Sequence, residues 1–475
     1  MKKILALMTA LMLIVLPCAS IAEQTSDKPQ GEMNEQMGEP PEKPDGEAPD
    51  KPDGEMPDGE APDKPDGDPG QDGPGMGDTG DNGTAATELT EDAEITDTSY
   101  ASSGDDENAL RVSGAAVTLT NISLDKSGGD CSDSDSGNFY GMNAGLLALD
   151  GAQVTIDTAD ISSDASNGNA VFSYGTGTSV TILNSTITTM QDNSGGIHVA
   201  GGGTLSASDL TVETYGNSSA AIRSDRGGGT MTVDGGSYTT HGTGSPAIYS
   251  VADITVSNAT LSATASEAVV VEGKNSVTLN DCELSGSMTG TYQGDENENI
   301  HNVMLYQSMS GDADVGESSF TMTGGSLIAN AGDMFYVTNT DCSISLENVS
   351  MTLANSQLLT VCGNDASRGW GTAGANGANV SFNVASQILA GNITVDDIST
   401  LKFNLSEGSC YTGAINITDN AEGGTAVENN ITVNIGEDCT WVLTGDSTIS
   451  TLENNGTIEF NGYSITLADG TVITE

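Results

Sequence analysis

Arg223, Asp225 and Arg226 stand together in "AAIRSDRGGG", residues 220–229, in a chain with 13 basic against 68 acidic residues. One of only three histidines, His198, sits upstream in "GGIH". Side chains of these types can build an acid–base site, an anion site or a structural ion pair. Cleavage of a glycosidic bond generally needs two carboxyl groups flanking it, and Asp225 alone does not supply them. Arginine serves as a base only when its pKa, above about 12 when free, is strongly depressed. Which chemistry is open depends on the elements that hold these residues.

Those elements are repeats. Nine eight-residue windows share one pattern, among them "VTLTNISL" from Val117, "VTILNSTI" from Val180, "MTVDGGSY" from Met231 and "ISLENVSM" from Ile344. They recur mostly every 23 to 26 residues, with longer gaps where an insertion fits. Positions one, three and eight are nonpolar or aromatic, and alternation at one and three marks a strand with one buried face. Position two is always Thr or Ser, which strand propensity explains. Position five is Asn, Asp or Gly in eight of the nine, with Thr158 the exception. Those residues tolerate a left-handed backbone, so a bend between two strands is expected there.

A second pattern precedes the windows. "AGLLAL", "NAVFSY", "GGIHV", "AAIRS", "PAIYS" and "EAVVV" align as inward, outward, inward. Each repeat therefore predicts three short strands joined by turns. One such unit cannot bury its own apolar face, whereas stacked units share a continuous core. The fold class is all-β, a parallel β-helix with three short strands and about 23–26 residues per coil. The outward position of the first strand reads Arg111, Leu147, Phe172, His198, Arg223, Tyr249 and Val270. Rungs of such a ladder lie about 4.8 Å apart. Asp225 and Arg226 fall in the turn after Arg223.

The pattern resembles the right-handed parallel β-helix of the pectin-lyase-like proteins. More narrowly, it resembles the secreted, adhesin-like β-helix proteins of anaerobic bacteria. The resemblance covers roughly residues 95–475, with a looser repeat after about 380. It implies a right-handed sense and, in the enzymes of the group, chemistry on this strand face and in the loop after it. Lyases of the group use an arginine as base, with calcium held by a carboxylate cluster. Hydrolases use paired carboxylates, then a histidine and an arginine on following coils. "GGIH" followed by "AAIR" matches that order, but Leu147 and Phe172 stand where paired aspartates would be required.

The remaining features bound the setting. Residues 1–22 read as a secretory signal peptide, with Lys2 and Lys3 before an apolar run from Ile4 to Leu16. Pro17 argues against lipidation of Cys18, because the preceding residue is normally small. Residues 23–90 form an acidic, Pro/Gly-rich stalk holding eleven of the thirteen prolines. It is predicted to be disordered, because it has little to bury. A net charge of −55 repels nucleic acid and anionic membrane, and no second apolar run is long enough to span a bilayer. No cysteine pair has CxxC spacing, which argues against zinc. Asp130, Asp133 and Asp135 in "GDCSDSDSGN" have the oxygen density of a calcium loop without its full motif, leaving calcium open as a cofactor. The stretch around Asp295 to Glu298 reads the same way. Trp370, beside Arg368 in a Gly-rich loop, reads either as a sugar-stacking ring or as a core plug.

The expected organisation is a signal peptide (1–22), a stalk (23–90) and a β-helix (91–475) whose last part, 380–475, holds looser coils and a cap. The expected function is a secreted or cell-surface, non-catalytic, adhesin-like protein. It would bind glycan through an exposed ladder of Leu147, Phe172, His198, Arg223, Tyr249 and Val270, with Asp225 and Arg226 beside it. Exposed apolar and aromatic side chains in one strip need a reason, and aromatic faces with Arg and His donors suit sugars. The alternative is a polysaccharide lyase or hydrolase.

Overall fold

Alternation in the windows becomes stacked ladders. The structure is a computed structural model that describes residues 80–290 and 299–475. The signal peptide, most of the stalk, and Asp295 to Glu298 lie outside the described residues. Among the described residues every strand pair is parallel except the last, where Ile465–Leu467 meets Val472–Ile473 antiparallel. First strands of successive coils form one sheet of thirteen, from Glu88–Leu89 to Ile415–Thr418. Second strands stack through Val180, Leu205, Met231 and Ile254. Third strands stack through Ile187, Val212, Tyr238 and Leu261. These inward columns meet Ile197, Ile222 and Ile248 in one continuous core. The fold is a parallel β-helix.

The bend falls where the spacing places it. All nine fifth positions have a left-handed backbone, from Asn184 at φ 50° to Gly235 at φ 73°. Thr158 adopts it too, at φ 59°, although a β-branched residue disfavours that region. Coils pairing above and below fix its conformation, overriding local preference. The same bend recurs at Ser386 and Glu407, whose strands stay in register with Ile344 through Phe382 and Phe403. The repeat thus keeps its phase for two coils beyond the last window.

The first coil starts earlier than residue 91. Thr84–Ala85 pairs with Glu107–Asn108, and Glu88–Leu89 with Arg111–Val112. These strands are two residues long, too short to show alternation, so they read as the end of the stalk.

Buried corners are closed by side chains. Ser194 N donates to Ser219 Oγ at 2.9 Å, and Ser219 N to Ser245 Oγ at 2.8 Å. Each buried N–H at the turn thereby finds a partner one coil on. Among the described residues no disulfide links the six cysteines from Cys131 to Cys439, and Cys282, Cys342 and Cys439 are core residues.

Insertions enter at two corners. One precedes the first strand at residues 127–145 and carries a short helix, Ser134–Tyr140. Others follow the first strand at 307–316, 362–378 and 419–430. Both corners border the outward face of the first-strand sheet. No helix among the described residues is long and apolar enough to cross a membrane.

Candidate functional site

The register places the predicted ladder rung on rung: Arg111, Leu147, Phe172, His198, Arg223, Tyr249 and Val270. It continues through Met304, Tyr336, Thr360 and Thr394. The expected exposure is wrong for most of it. Leu147, Phe172 and His198 are wholly buried, and Arg223, Asp225 and Val270 are nearly so.

Val270 packs with Met304, Tyr306, Tyr336 and Trp370, whereas from Leu147 to Arg223 the cause is the insertion at 127–145. Asp133 caps its helix, with Oδ2 accepting from Ser136 N at 3.3 Å and from Ser136 Oγ at 2.6 Å. Gly141 ends the helix at φ 76°, pressed so closely on the sheet that a Cβ there would lie 2.6 Å from Leu147 Cδ1. Leu147, Phe172, Ala144, Leu149 and Ala200 form a second small core beneath it. Asp133 is thus a helix cap, and Asp135 lies in the first turn. Among the described residues no three His, Cys, Asp or Glu side chains gather as a metal site.

Arg223 fastens this cover. Its Nε donates to Asp225 Oδ2 at 2.8 Å, its Nη1 to the carbonyls of Asn193 and Ser218, and its Nη2 to Asn138 Oδ1 on the helix at 3.0 Å. A guanidinium so saturated is a tie rather than a base. Arg226 adds a second tie: Nη2 lies 2.7 Å from Asp312 Oδ1, and Cζ stands 4.1 Å over the Phe139 ring. His198 stacks on Phe172 with ring centroids 4.0 Å apart. Its Nδ1 contacts Asn169 Oδ1 at 3.2 Å. Its Nε2 stands 3.3 Å from Asp225 Oδ2 without the alignment of a hydrogen bond. Burial pulls the imidazole down to about 4, with Arg223 helping and Asp225 opposing. Burial alone would push the Asp225 carboxyl up, but Arg223 and His198 together hold it below the usual carboxylate range.

Beyond Arg223 the cover ends and a cleft begins. One cavity of about 210 Å³ is lined by the rungs Arg223, Tyr249, Val270 and Met304, with Asp225, Glu267 and Tyr306. A second, of about 590 Å³, is lined by the rungs Tyr336, Thr360 and Thr394. Arg368 and Trp370 line both. Trp370 packs on Tyr306, with centroids 4.7 Å apart, and Arg368 Cζ lies 4.5 Å over the indole. The tryptophan is therefore mostly a plug whose edge reaches the cleft. Beneath the first cavity, Glu272 accepts from Tyr249 Oη at 2.5 Å and Tyr306 Oη at 2.8 Å, and Ser308 also donates to it. Burial raises its pKa above the ordinary glutamate value despite these donors. Glu267 accepts from Ser266 and faces His301 Nε2 at 3.6 Å. Burial pushes it up, yet His301 and Ser266 bring it below its usual value.

Met304, Tyr336, Thr360, Glu267 and Glu272 escaped the sequence reading. Insertions stretch the spacing from Val270 to Met304 and on to Tyr336, hiding the column. The one available signal was the pair of acids flanking the apolar run "EAVVVE". No protein-family profile matches the chain, and no curated protein matches its sequence.

Proposed function

We propose that this protein is a secreted or cell-surface, non-catalytic β-helix protein of the adhesin-like, pectin-lyase-like kind, and that it binds a linear glycan along the open part of the ladder. One observation carries the reading: seven successive rungs, from Arg223 to Thr394, line two adjoining cavities. Rungs about 4.8 Å apart make this roughly 29 Å long, room for several sugar rings laid along the solenoid. Tyr249 and the edges of Trp370 and Tyr306 supply apolar contact, and Arg368, Thr360 and Thr394 supply donors, the mix that saccharide sites use. The site thus moves from the rungs Leu147 to His198, under the helix, to those bordering the cleft, of which Tyr249, Thr360 and Thr394 are partly exposed. Retention on a panel of insoluble polysaccharides tests it. Arg368→Ala should weaken retention by about 1 kcal/mol, the scale of a donor and cation–π contact, with folding checked by circular dichroism. Retention equal to that of the unaltered protein would return the cleft to a structural role.

A hydrolase is favoured by the presence of Asp225 and Glu267 on one cavity. Against it, both carboxyls are held below their usual range, and hydrolysis requires one to carry a proton. New reducing ends released from a polysaccharide, and lost in Glu267→Gln, would decide for the enzyme.

A further inference from the structure

The two cavities of the cleft differ in charge. Around the smaller one, Arg223 and Arg368 offset Asp225 and Glu267. Around the larger one, Asp365, Asp396, Asp419 and Glu422 stand against Arg368. Asp396 is the informative residue. It is 2 % exposed, and its Oδ2 accepts from Gly363 N at 2.8 Å and from Asn420 Nδ2 at 2.5 Å. Its Oδ1 is buried and has no hydrogen-bond partner. A carboxylate so buried and only partly hydrogen-bonded is unfavourable, so it sets an incompletely offset negative charge behind this wall of the cavity. Cys362 lies in the same wall, its thiol pushed up to about 12 chiefly by burial, with Asp396 adding to it.

The carboxylates are spread around a cavity of ligand size rather than converging on a point. Among the described residues no trio of acids forms a cage for a metal ion. Such a distribution suits a singly charged cationic group carried on a larger polar body. The edges of Tyr336 and Trp370 offer that body apolar contact, and Thr360 and Thr394 offer it hydroxyls. We propose that the acidic half of the cleft takes a sugar bearing a free, protonated amine, with the ammonium held by the exposed carboxylates of Asp419 and Glu422 and drawn toward the wall by the buried charge of Asp396. This rests on the reading of the cleft as a glycan groove and adds the class of sugar. The same carboxylates repel uronates.

The test is isothermal titration of the full chain with three oligomers: β-1,4-linked glucosamine, its N-acetylated counterpart, and galacturonate. The glucosamine oligomer should bind tightest, and its advantage should vanish when pH is raised to deprotonate the amine or when salt screens it. The double variant Asp419→Asn, Glu422→Gln, changed only at exposed positions, should bind glucosamine roughly fivefold more weakly and the N-acetylated oligomer unchanged. Glucosamine and N-acetylglucosamine binding alike, galacturonate binding tightest, or calcium strengthening galacturonate above both would each overturn the amine while leaving the glycan groove standing. No binding of any oligomer, with the polysaccharide panel also negative, removes the groove itself.

Discussion

Phe172 and Thr360 occupy the same column of the same sheet, seven rungs apart along the paired strands from Phe172 to Thr360. Phe172 is sealed under the Ser134–Tyr140 helix beside Leu147, and Thr360 lines an open cavity. Position in the coil is identical; the difference is the segment lying over it. In a solenoid, the outward face is assigned by the insertions and not by the repeat. The covered stretch has consequently become a second core, with its own apolar cluster and its own buried ion pair. The other stretch has an apolar cluster too, around Val270, Met304, Tyr306, Tyr336 and Trp370, but keeps a cleft bordered by the partly exposed rungs Tyr249, Thr360 and Thr394.

Truncation should separate the two stretches most sharply. Phe172→Ala should lower unfolding free energy by about 3 to 5 kcal/mol, as expected of a large ring removed from a packed interior. Thr360→Ala should lower it by less than about 1 kcal/mol. Denaturant midpoints measured on both variants check this, and comparable losses would mean that the helix does not cover Phe172.

Acid should act on the covered stretch next. His198 is buried and its pKa is lowered from 6.5 to about 4. The unfolded chain therefore binds the extra proton between those values, and stability rises with pH across that window. On acidification from pH 6.5 to 4, the loss attributable to His198 is on the order of 3 kcal/mol. Asp225 acts in the same sense: its depressed pKa stabilises the fold above its unfolded value, and that is lost as pH falls through the folded one. Glu272, with its pKa raised, acts oppositely, its contribution being lost as pH rises through the folded value. Midpoints measured across the window in the unaltered protein and in His198→Gln should diverge at neutral pH and converge in acid. A difference that stays constant would show that His198 is already charged in the folded protein.

Arg226 should give the smallest effect. Its side chain is 41 % exposed, so the bridge to Asp312 is partly screened. Arg226→Ala should cost about 0.5 to 1 kcal/mol, from the bridge and the Phe139 contact together. The loss should be local: faster amide exchange in residues 134–140, with rungs from Tyr336 onward unchanged. Equal acceleration in both places would mean that the cover and the cleft open as one unit.

These contrasts also divide what could be read early from what could not. The inward columns, such as Ile222 with Val233, and the bends at Asn121 or Asp281 follow from local rules. Alternation and left-handed propensity act within a few residues, and every coil repeats them. Even Thr158, with the wrong local preference, was placed correctly by its position in the repeat. The register of the ladder follows as well, so the repeat spacing sets His198 and Arg223 one rung apart. Their surroundings did not follow. Residues 129–138 read as a candidate calcium loop, because "GDCSDSDSGN" is dense in acidic side chains and has no helical periodicity strong enough to announce a helix that packs on the sheet.

By itself, then, the sequence determined the coil, its inward faces and the order of its outward rungs, because each is set by a short pattern reinforced by its neighbours above and below. Only the tertiary structure decided whether a rung became core, tie or cleft. Arg223 meets Asn138 across 85 residues, and Arg226 meets Asp312 across 86. No local periodicity encodes such contacts. They depend on where two insertions of different length come to rest over the same sheet.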